Sequence, residues 1–326
     1  MKFDLDAHQR DFAASIDAAL GAADVPTAVR AWGEGDTAPG LAVWERLAEL
    51  GVTALMIPEE HDGMDAHPVD LVVAMERLGR WCVPGPVVES VAVAPILLAG
   101  SPDAASRLAA LAGGELIATA ALPPAVPRAV DADTAGLVLH AADGTVSEAV
   151  VGDRHDSVDP GRRLFDTAAG TSSWAADVAR AYEFGALATA AHLVGAGQAM
   201  LDASVDYAKQ RTQFGRVIGS YQAIKHKLAD IHIALELARP LLYGAALALA
   251  DSPTGPISAD TARDVSAAKA AASDAALLAA QSSLQTHGAI GFTAEHDLSL
   301  WLLRVQALRS AWGDPATHRR RVLEAL

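Results

Sequence analysis

The amino-acid sequence predicts a mainly helical protein with a small β domain between two helical regions. Three observations support this prediction: helical periodicity in the first third, short β-like runs in the middle, and long helical patterns from Trp174 onward. Hydrophobic residues make up 51 % of the 326 residues, enough to bury a core in two or three domains. We expect a helical domain at 1–113, a short β domain at 114–173 and a helical bundle at 174–326.

Proline, glycine and aspartate separate the predicted elements of the first two regions. The helical patterns of the first region run from Leu41 to Leu50, Val69 to Leu78, Val87 to Leu98 and Asp103 to Leu111. The β-like runs of the second region are Leu116-Ile-Ala-Thr-Ala, Gly136-Leu-Val-Leu-His and Ala149-Val-Val-Gly. A helical domain followed by a β domain is therefore expected.

The third region carries the patterns of long amphipathic helices. Apolar residues recur on one helical face at Ile224, Leu228, Ile231 and Leu235. The alanine-rich segment between Ala259 and Thr286 permits close helix approach and suits a bundle core or a subunit interface. A further helix is expected from Asp297 to Ala311, and Asp251-Ser-Pro-Thr-Gly-Pro256 reads as a loop.

Composition excludes several classes of function. A formal net charge of −15 argues against a nucleic-acid groove or an anionic membrane surface, since both favour basic patches. The single cysteine, Cys82, excludes an intramolecular disulfide framework and a multi-cysteine metal site, and we expect no metal. The sequence shows no amino-terminal signal pattern and no uninterrupted apolar run approaching the ~20 residues that span a bilayer. We therefore expect a cytoplasmic location.

The most informative stretch runs from Tyr207 to Gln222. It places Arg211, Phe214 and Gln222 around a predicted helix break. A guanidinium forks onto phosphate or carboxylate oxygens, and a phenyl ring can cover a flat ring system. The spacing therefore suits an anionic, flat ligand, although spacing alone favours a helix hairpin with a capping arginine.

This stretch resembles the Arg-x-x-Phe-Gly...Gln motif of the acyl-CoA dehydrogenase family. Trp44-Glu-Arg-Leu-Ala-Glu-Leu-Gly51 and Ile57-Pro-Glu-Glu-His-Asp-Gly63 resemble the family's amino-terminal helical domain. Gln285-Thr-His-Gly-Ala-Ile-Gly-Phe292 resembles its Gln-x-x-Gly-Gly-x-Gly-Tyr/Phe motif. Because the matches occur in the family's order, the resemblance is more specific than any one motif. It implies an amino-terminal helical domain, a middle β domain, a carboxyl-terminal four-helix bundle and FAD as cofactor.

The resemblance also implies a set of FAD-contacting residues. These are Arg211, Gln213, Phe214, Gln222, Gln285, His287, Gly288 and Ala289. Arg211 is the expected ligand of the pyrophosphate, whereas a histidine that ends an apolar helix, as His287 does, is usually a packed or capping residue. Ala289 replaces the second glycine of the family motif, where a methyl group would crowd a flavin phosphate.

Two departures concern the flavin and the catalytic base. The family's Thr-Glu-Pro-Gly-Ala-Gly-Ser-Asp segment has no counterpart, and Ala121-Leu-Pro-Pro-Ala-Val-Pro127 stands in its place, where three prolines remove backbone donors. Alignment puts Gly313 at the position of the family's catalytic glutamate, and Gly185 with Ala186 at its alternative position. Asp314, one residue after the first position, is a weak candidate base.

In the homo-oligomeric members of the family that this chain resembles, the retained motifs belong to the part of each subunit that reaches a neighbour's FAD. The chain therefore resembles the smaller subunit of actinobacterial heteromeric acyl-CoA dehydrogenases, α2β2 tetramers acting on steroid-derived CoA thioesters. That resemblance implies a larger partner subunit carrying the catalytic glutamate, an acyl-CoA substrate and an electron-transfer acceptor. Two alternatives stay open: an autonomous homo-oligomeric enzyme with Asp314 as base, and a non-enzymatic helical scaffold of the same fold.

Overall fold

The chain folds into an amino-terminal helical domain, a small β domain and a carboxyl-terminal bundle. The structure is a computed structural model that describes residues 4–251 and 255–326, so the middle of the predicted loop 251–256 lies outside it. The first domain contains α1 (Ala7–Gly21), α2 (Val25–Glu34), α3 (Ala38–Glu49), α4 (Pro68–Arg80), α5 (Ala94–Leu98) and α6 (Ala104–Ala112). A π-helical turn, Glu89–Val93, leads directly into α5. The mainly helical fold expected from the sequence is confirmed.

The β domain is one five-stranded sheet. Its strands are β1 (Ala118–Ala121), β2 (Arg128–Val130), β3 (Leu137–Ala142), β4 (Thr145–His155) and β5 (Leu164–Ala175), in the order β1-β3-β4-β5-β2. Only β1 and β3 pair in parallel, and β3 alternates buried with half-buried residues as one face packs inward. The proline-containing segment 122–127 connects β1 with β2 and closes on itself through a Leu122–Val126 bridge.

The bundle contains four long or medium helices and a terminal helix. They are α7 (Val178–Gln210), α8 (Gln222–Ala250), α9 (Ala259–His287), α10 (Leu298–Ser310) and α11 (Pro315–Glu324). A short hairpin, β6 (Thr212–Gln213) and β7 (Arg216–Val217), joins α7 to α8. The expected four-helix bundle is therefore present, with α11 packed against α9.

The alanines of α9 form the bundle core. Ala268, Ala272, Ala276 and Ala279 are fully buried within this single chain. Small side chains allow α9 to approach its neighbours closely. Of the two roles that the sequence left open for this segment, the structure assigns core packing and leaves these alanines unavailable for a subunit interface.

Helix α8 instead exposes an apolar stripe. Ile233, Leu237 and Leu241, spaced by four residues, have 54 %, 69 % and 41 % of their surface exposed. By length and composition alone, α7 and α8 are both apolar enough to cross a membrane, although charged residues interrupt both helices. Within the protein, 89 % of the apolar window of α7 is buried, against 33 % for α8. The packing of this single chain therefore leaves most of the apolar window of α8 exposed.

Arg304 ties the three domains together. It lies on α10, is fully buried, and donates through Nε to Asp159 of the β domain. Its Nη1 donates to the carbonyl of Val83 in the first domain, at 2.9 Å. A single side chain of the bundle therefore contacts both the β domain and the first domain.

Candidate functional site

The hairpin between α7 and α8 displays the Arg-x-x-Phe motif at the surface. Helix α7 ends at Gln210, and its carboxyl-terminal cap, Arg211, is exposed. The turn of the hairpin is Phe214-Gly215, with φ angles of 52° and 80°, as a two-residue turn matching strand twist requires. Phe214 is 93 % exposed, which is exceptional for a phenyl ring in a water-facing position. The turn therefore presents an aromatic ring outward beside a cation.

The second motif lies at the same end of the bundle. The ring of His287 stacks on Tyr207 at 4.5 Å, which joins the end of α9 to the end of α7. Gln285 is exposed and accepts a hydrogen bond from Nζ of Lys227. Gln222 is exposed at the first position of α8. The structure thus gathers the two motifs, which lie far apart in sequence, around one surface.

His287 has the packed environment that the sequence left open. It is buried, its Nδ1 lies 2.8 Å from the carbonyl oxygen of Ser283, and burial lowers its pKa. Gly288 follows with a φ of 67°, which ends α9, and Ala289 is exposed beyond it. His287 therefore fixes the helix end, while Gly288 and Ala289 stand at the surface.

The exposed groups suit FAD as a ligand supplied from outside this chain. Arg211 offers a guanidinium whose donors have no partner among the described residues, and Phe214 offers a free ring face. Gln213 and Gln222 add exposed amides nearby. Phosphates pair well with a guanidinium and flat rings with a phenyl ring.

In the interior, the indole of Trp312 occupies the space that a glutamate at the family's alternative base position would need. The indole is 1 % exposed. A Cβ atom at Gly185 would come within 2.4 Å of its ring carbons. A glutamate at this position, the family's alternative site for its base, would clash with the ring.

The family's usual base position, which falls on Gly313, also lacks space for a larger side chain. Gly313 has a φ of 94°, and a Cβ there would lie 2.6 Å from Nε2 of His318 and 2.7 Å from the hydroxyl of Tyr182. The turn is held by Lys269, which is buried and donates to the carbonyl of Gly313 at 3.2 Å. Both positions thus accept glycine and exclude a larger residue.

The two carboxylates nearest to these positions have other partners. Asp314 is exposed, caps α11 by accepting from the backbone N–H of Thr317 at 2.7 Å, and this bond lowers its pKa. Glu183 is buried, and burial raises its pKa although it accepts a hydrogen bond from Arg321. An exposed cap with a lowered pKa is a poor proton acceptor.

Sequence reasoning missed the residues that shape this interior. No sequence pattern singles out Trp312, Lys269 or Glu89 as functional, although Glu89 accepts from the indole N–H of Trp312 at 3.2 Å. The sequence does hold one signal: Trp312-Gly313 stands where the resembled family has a Tyr-Glu pair. A larger ring at this position suggests that a smaller residue elsewhere makes room for it. That smaller residue, Gly185, becomes evident only in the folded chain.

Comparisons with known proteins agree with this geometry. Residues 6–115 match the acyl-CoA dehydrogenase N-terminal domain, and residues 175–326 match the acyl-CoA dehydrogenase C-terminal domain. The acyl-CoA dehydrogenase IpdE2 of Mycobacterium tuberculosis is 33 % identical over 300 residues, which cover 91 % of this chain and 90 % of that protein.

Solved structures show the same fold. The ChsE4-ChsE5 complex from Mycobacterium tuberculosis superposes with a TM-score of 0.84 at 21 % identity, over 99 % of this chain and 98 % of that chain. The Tcur3481-Tcur3483 steroid ACAD superposes with a TM-score of 0.84 at 18 % identity, over 98 % and 97 % of the two chains. At these identities the likeness concerns architecture alone. Together with the two matched domains, it shows that this chain belongs to the acyl-CoA dehydrogenase family, whose members use FAD.

Proposed function

We propose that this chain is a subunit of an FAD-dependent acyl-CoA dehydrogenase and completes the FAD site of a larger partner subunit. The observation that carries the proposal is the packing of Trp312 against Gly185, because it leaves no room for a catalytic glutamate in this chain. A base must approach the proton it removes within hydrogen-bonding distance. The partner would therefore supply the base.

The exposed motif surface supports the other half of the proposal. Arg211 and Phe214 project from the hairpin into solvent, where a neighbouring subunit can bring a bound cofactor to them. This chain would hold the pyrophosphate and cover the ring system, and so orient the cofactor. When bound, FAD supplies the acceptor for the β-hydrogen of the acyl-CoA, which leaves as hydride. Orientation is the contribution that the described side chains can make.

The segment 121–127 argues against a flavin held by this chain's own β domain. Pro123, Pro124 and Pro127 have no backbone N–H groups to offer, and Leu122 and Val126 bond to each other. Three of the seven backbone positions of this segment therefore offer no donor, and the N–H groups of Leu122 and Val126 are already used.

The proposed substrate is the CoA thioester of a steroid-derived acid. Support comes from the relatives: a solved structure of this fold is described as a steroid ACAD, and two are complexes of two different chains. The proposed assembly is an α2β2 heterotetramer in the cytoplasm that passes electrons to an electron-transfer acceptor. The apolar stripe of α8 offers a surface for that assembly.

A flavin count tests the proposal. The chain is purified alone and together with a larger homologue that keeps the glutamate and the Thr-Glu-Pro-Gly-Ala-Gly-Ser-Asp segment. We expect a colourless, inactive chain alone and a heterotetramer with one flavin for each pair of unlike subunits, measured by absorbance against protein mass.

A yellow, active homo-oligomer would overturn the proposal in favour of the autonomous enzyme. In that case, Asp314→Ala decides whether Asp314 is the base, since its loss would reduce turnover by at least the ~100-fold typical of general-base catalysis. A complex without flavin would instead favour the non-enzymatic scaffold.

A further inference from the structure

A second potential site lies beside Trp312, on the side facing the β domain. It is a cavity of about 220 Å³ between the segment 125–130, Leu164 and the end of α10 at Ala307 and Ala311. This volume is below the ~300–1,000 Å³ of sites for drug-sized molecules. The cavity therefore suits a compact ligand, and Trp312 forms part of its wall.

Glu89 brings a carboxylate to this cavity. It is 2 % exposed, and its Oε1 is used by the indole N–H of Trp312. Its Oε2 is buried and has no hydrogen-bond partner among the described residues. Glu89 begins the π-helical turn that precedes α5, and such turns occur often at functional sites. A buried carboxylate oxygen without a donor is costly, so this atom indicates a donor that the chain itself does not provide.

Arg162 brings a cation to the same cavity. It is 8 % exposed, and within residues 4–251 and 255–326 its guanidinium makes no hydrogen bond or ion pair. The adjacent Arg163 differs, because it is bound by Asp133 and by the carbonyl of Trp32. No ion pair joins Arg162 to Glu89 in the described structure, so neither charge neutralises the other by direct contact.

We propose that this cavity binds a small zwitterion of the ω-amino acid type, with its carboxylate on Arg162 and its ammonium on Glu89. A guanidinium forks onto a carboxylate, and a carboxylate accepts from an ammonium. A ligand of net charge would satisfy only one of the two protein groups and leave the other buried and unpaired. Val126, Pro127 and Leu164 provide apolar contacts for the connecting methylenes.

This inference does not use the surface of Arg211. The cavity adjoins the place where the family's own flavin segment and base would stand, since residues 125–127 and Trp312 form part of its wall. An acyl-CoA is also a different class of ligand, since its phosphates and long arm exceed the volume of about 220 Å³ that this cavity offers.

Calorimetric titration of the full chain tests the ligand class. The probes are glycine, β-alanine, 4-aminobutanoate and 5-aminopentanoate, which vary the separation of the two charges. At least one is expected to bind saturably with one site per chain. Its two single-charge analogues, the alkanoate and the alkylamine of the same length, should bind roughly 10- to 100-fold more weakly, the factor that a charge-assisted hydrogen bond provides.

Three variants test the assigned residues. Glu89→Gln keeps an oxygen for the indole of Trp312 but removes the charge, and Arg162→Gln removes the cation. Each should weaken the best amino acid about 10-fold or more. Arg128→Gln is the matched control, because Arg128 lines the same cavity but is already paired with Asp166 at 2.9 Å. That variant should bind almost as the parent does.

Thermal unfolding checks that each variant is folded, and Arg162→Met, which also removes the cation, replaces Arg162→Gln if the latter is not. The inference is overturned if none of the four amino acids binds. It is also overturned if binding survives both Glu89→Gln and the Arg162 substitution.

Discussion

Trp312 is the residue that most restricts what this chain can do alone. Its indole packs against Gly185, its N–H is bound by Glu89, and its carbonyl accepts from the hydroxyl of Tyr182 at 3.2 Å. A ring held by contacts on several sides does not swing away to admit a substrate. This packing is the basis for our proposal that a partner subunit supplies the catalytic base.

Replacement of Arg211 by alanine is expected to weaken FAD retention in the assembled complex. A charge-assisted hydrogen bond to phosphate contributes about 1.5–3 kcal/mol, which corresponds to roughly one to two decades in affinity. Flavin release measured by fluorescence during dilution checks this. Arg211 is exposed, so the thermal unfolding of the variant should match that of the parent.

Arg216→Ala is the matched control for that measurement. Arg216 stands on the same hairpin, but its guanidinium lies over the ring of Tyr221 at 3.9 Å. We expect a smaller loss of flavin in this variant. Equal retention in the parent and in Arg211→Ala would leave Arg211 as a capping residue only.

His318 makes the stability of the chain depend on pH. The residue is fully buried, and burial lowers its pKa from the ordinary 6.5 to about 4. Between these values the unfolded chain binds a proton that the folded chain does not, so the free energy of unfolding falls as the pH falls. The loss amounts to roughly 3 kcal/mol at about 1.4 kcal/mol per pKa unit.

Urea unfolding across the range from about pH 6.5 to about pH 4 measures this effect. His318→Gln cannot titrate but can still donate to the carbonyl of Trp312. Its free energy of unfolding should therefore depend less steeply on pH than that of the parent. Identical slopes would show that His318 does not carry the effect.

At the scale of elements, α8 rather than α9 leaves apolar side chains exposed for a subunit contact. The alanines of α9 are consumed by the bundle core, whereas α8 leaves Ile233, Leu237 and Leu241 in solvent. An apolar stripe at helical spacing is a common feature of protein interfaces. The stripe is therefore the surface of this chain best suited to a subunit contact.

Leu237→Asp is expected to abolish or strongly weaken the assembly with a partner while leaving the chain folded. Leu237 is 69 % exposed in the single chain, so aspartate creates no buried charge until a partner covers it. Size-exclusion chromatography with light scattering measures the assembly. His232→Asp, an exposed substitution on a different face of the same helix, should assemble normally. Assembly of both variants would exclude the stripe as an interface.

At the scale of the whole molecule, a buried ion pair decides how the domains are joined. Arg304 and Asp159 are 1 % and 4 % exposed, and they connect α10 to the loop before β5. A buried pair is not in itself a source of stability, but removal of one partner leaves an uncompensated charge. Arg304 is thus one of the residues that dock the β domain, together with Arg163, which donates to the carbonyl of Trp32.

Arg304→Met should destabilise the chain by about 3–5 kcal/mol, because Asp159 would stay buried without its partner. Arg30→Met is the control, since Arg30 pairs with Asp297 at the surface at 2.7 Å and a surface pair contributes roughly 0–1 kcal/mol. Denaturant unfolding compares the two variants. Losses of similar size would contradict the role given to Arg304.

Periodicity and motif order determined the architecture from the sequence alone. Spacings such as Ile224, Leu228, Ile231 and Leu235 are local, and local spacing fixes which face of a helix turns inward. The order of the motifs around Trp44, Arg211 and Gln285 indicated the family, which the matched domains confirm. The FAD-contacting roles of the motif residues stay predictions, because only their common surface is established.

Only the tertiary structure decided which contacts the interior makes. Trp312 packs against Gly185, and Glu89 and Arg162 line the same cavity, although the residues of each pair are distant in sequence. No local sequence pattern encodes these contacts, because they depend on how the helices and the sheet pack against one another. For the same reason composition could not tell whether the alanines of α9 face a core or a partner. The sequence determined what the elements are, and packing determined which of their side chains are left for a ligand or a second subunit.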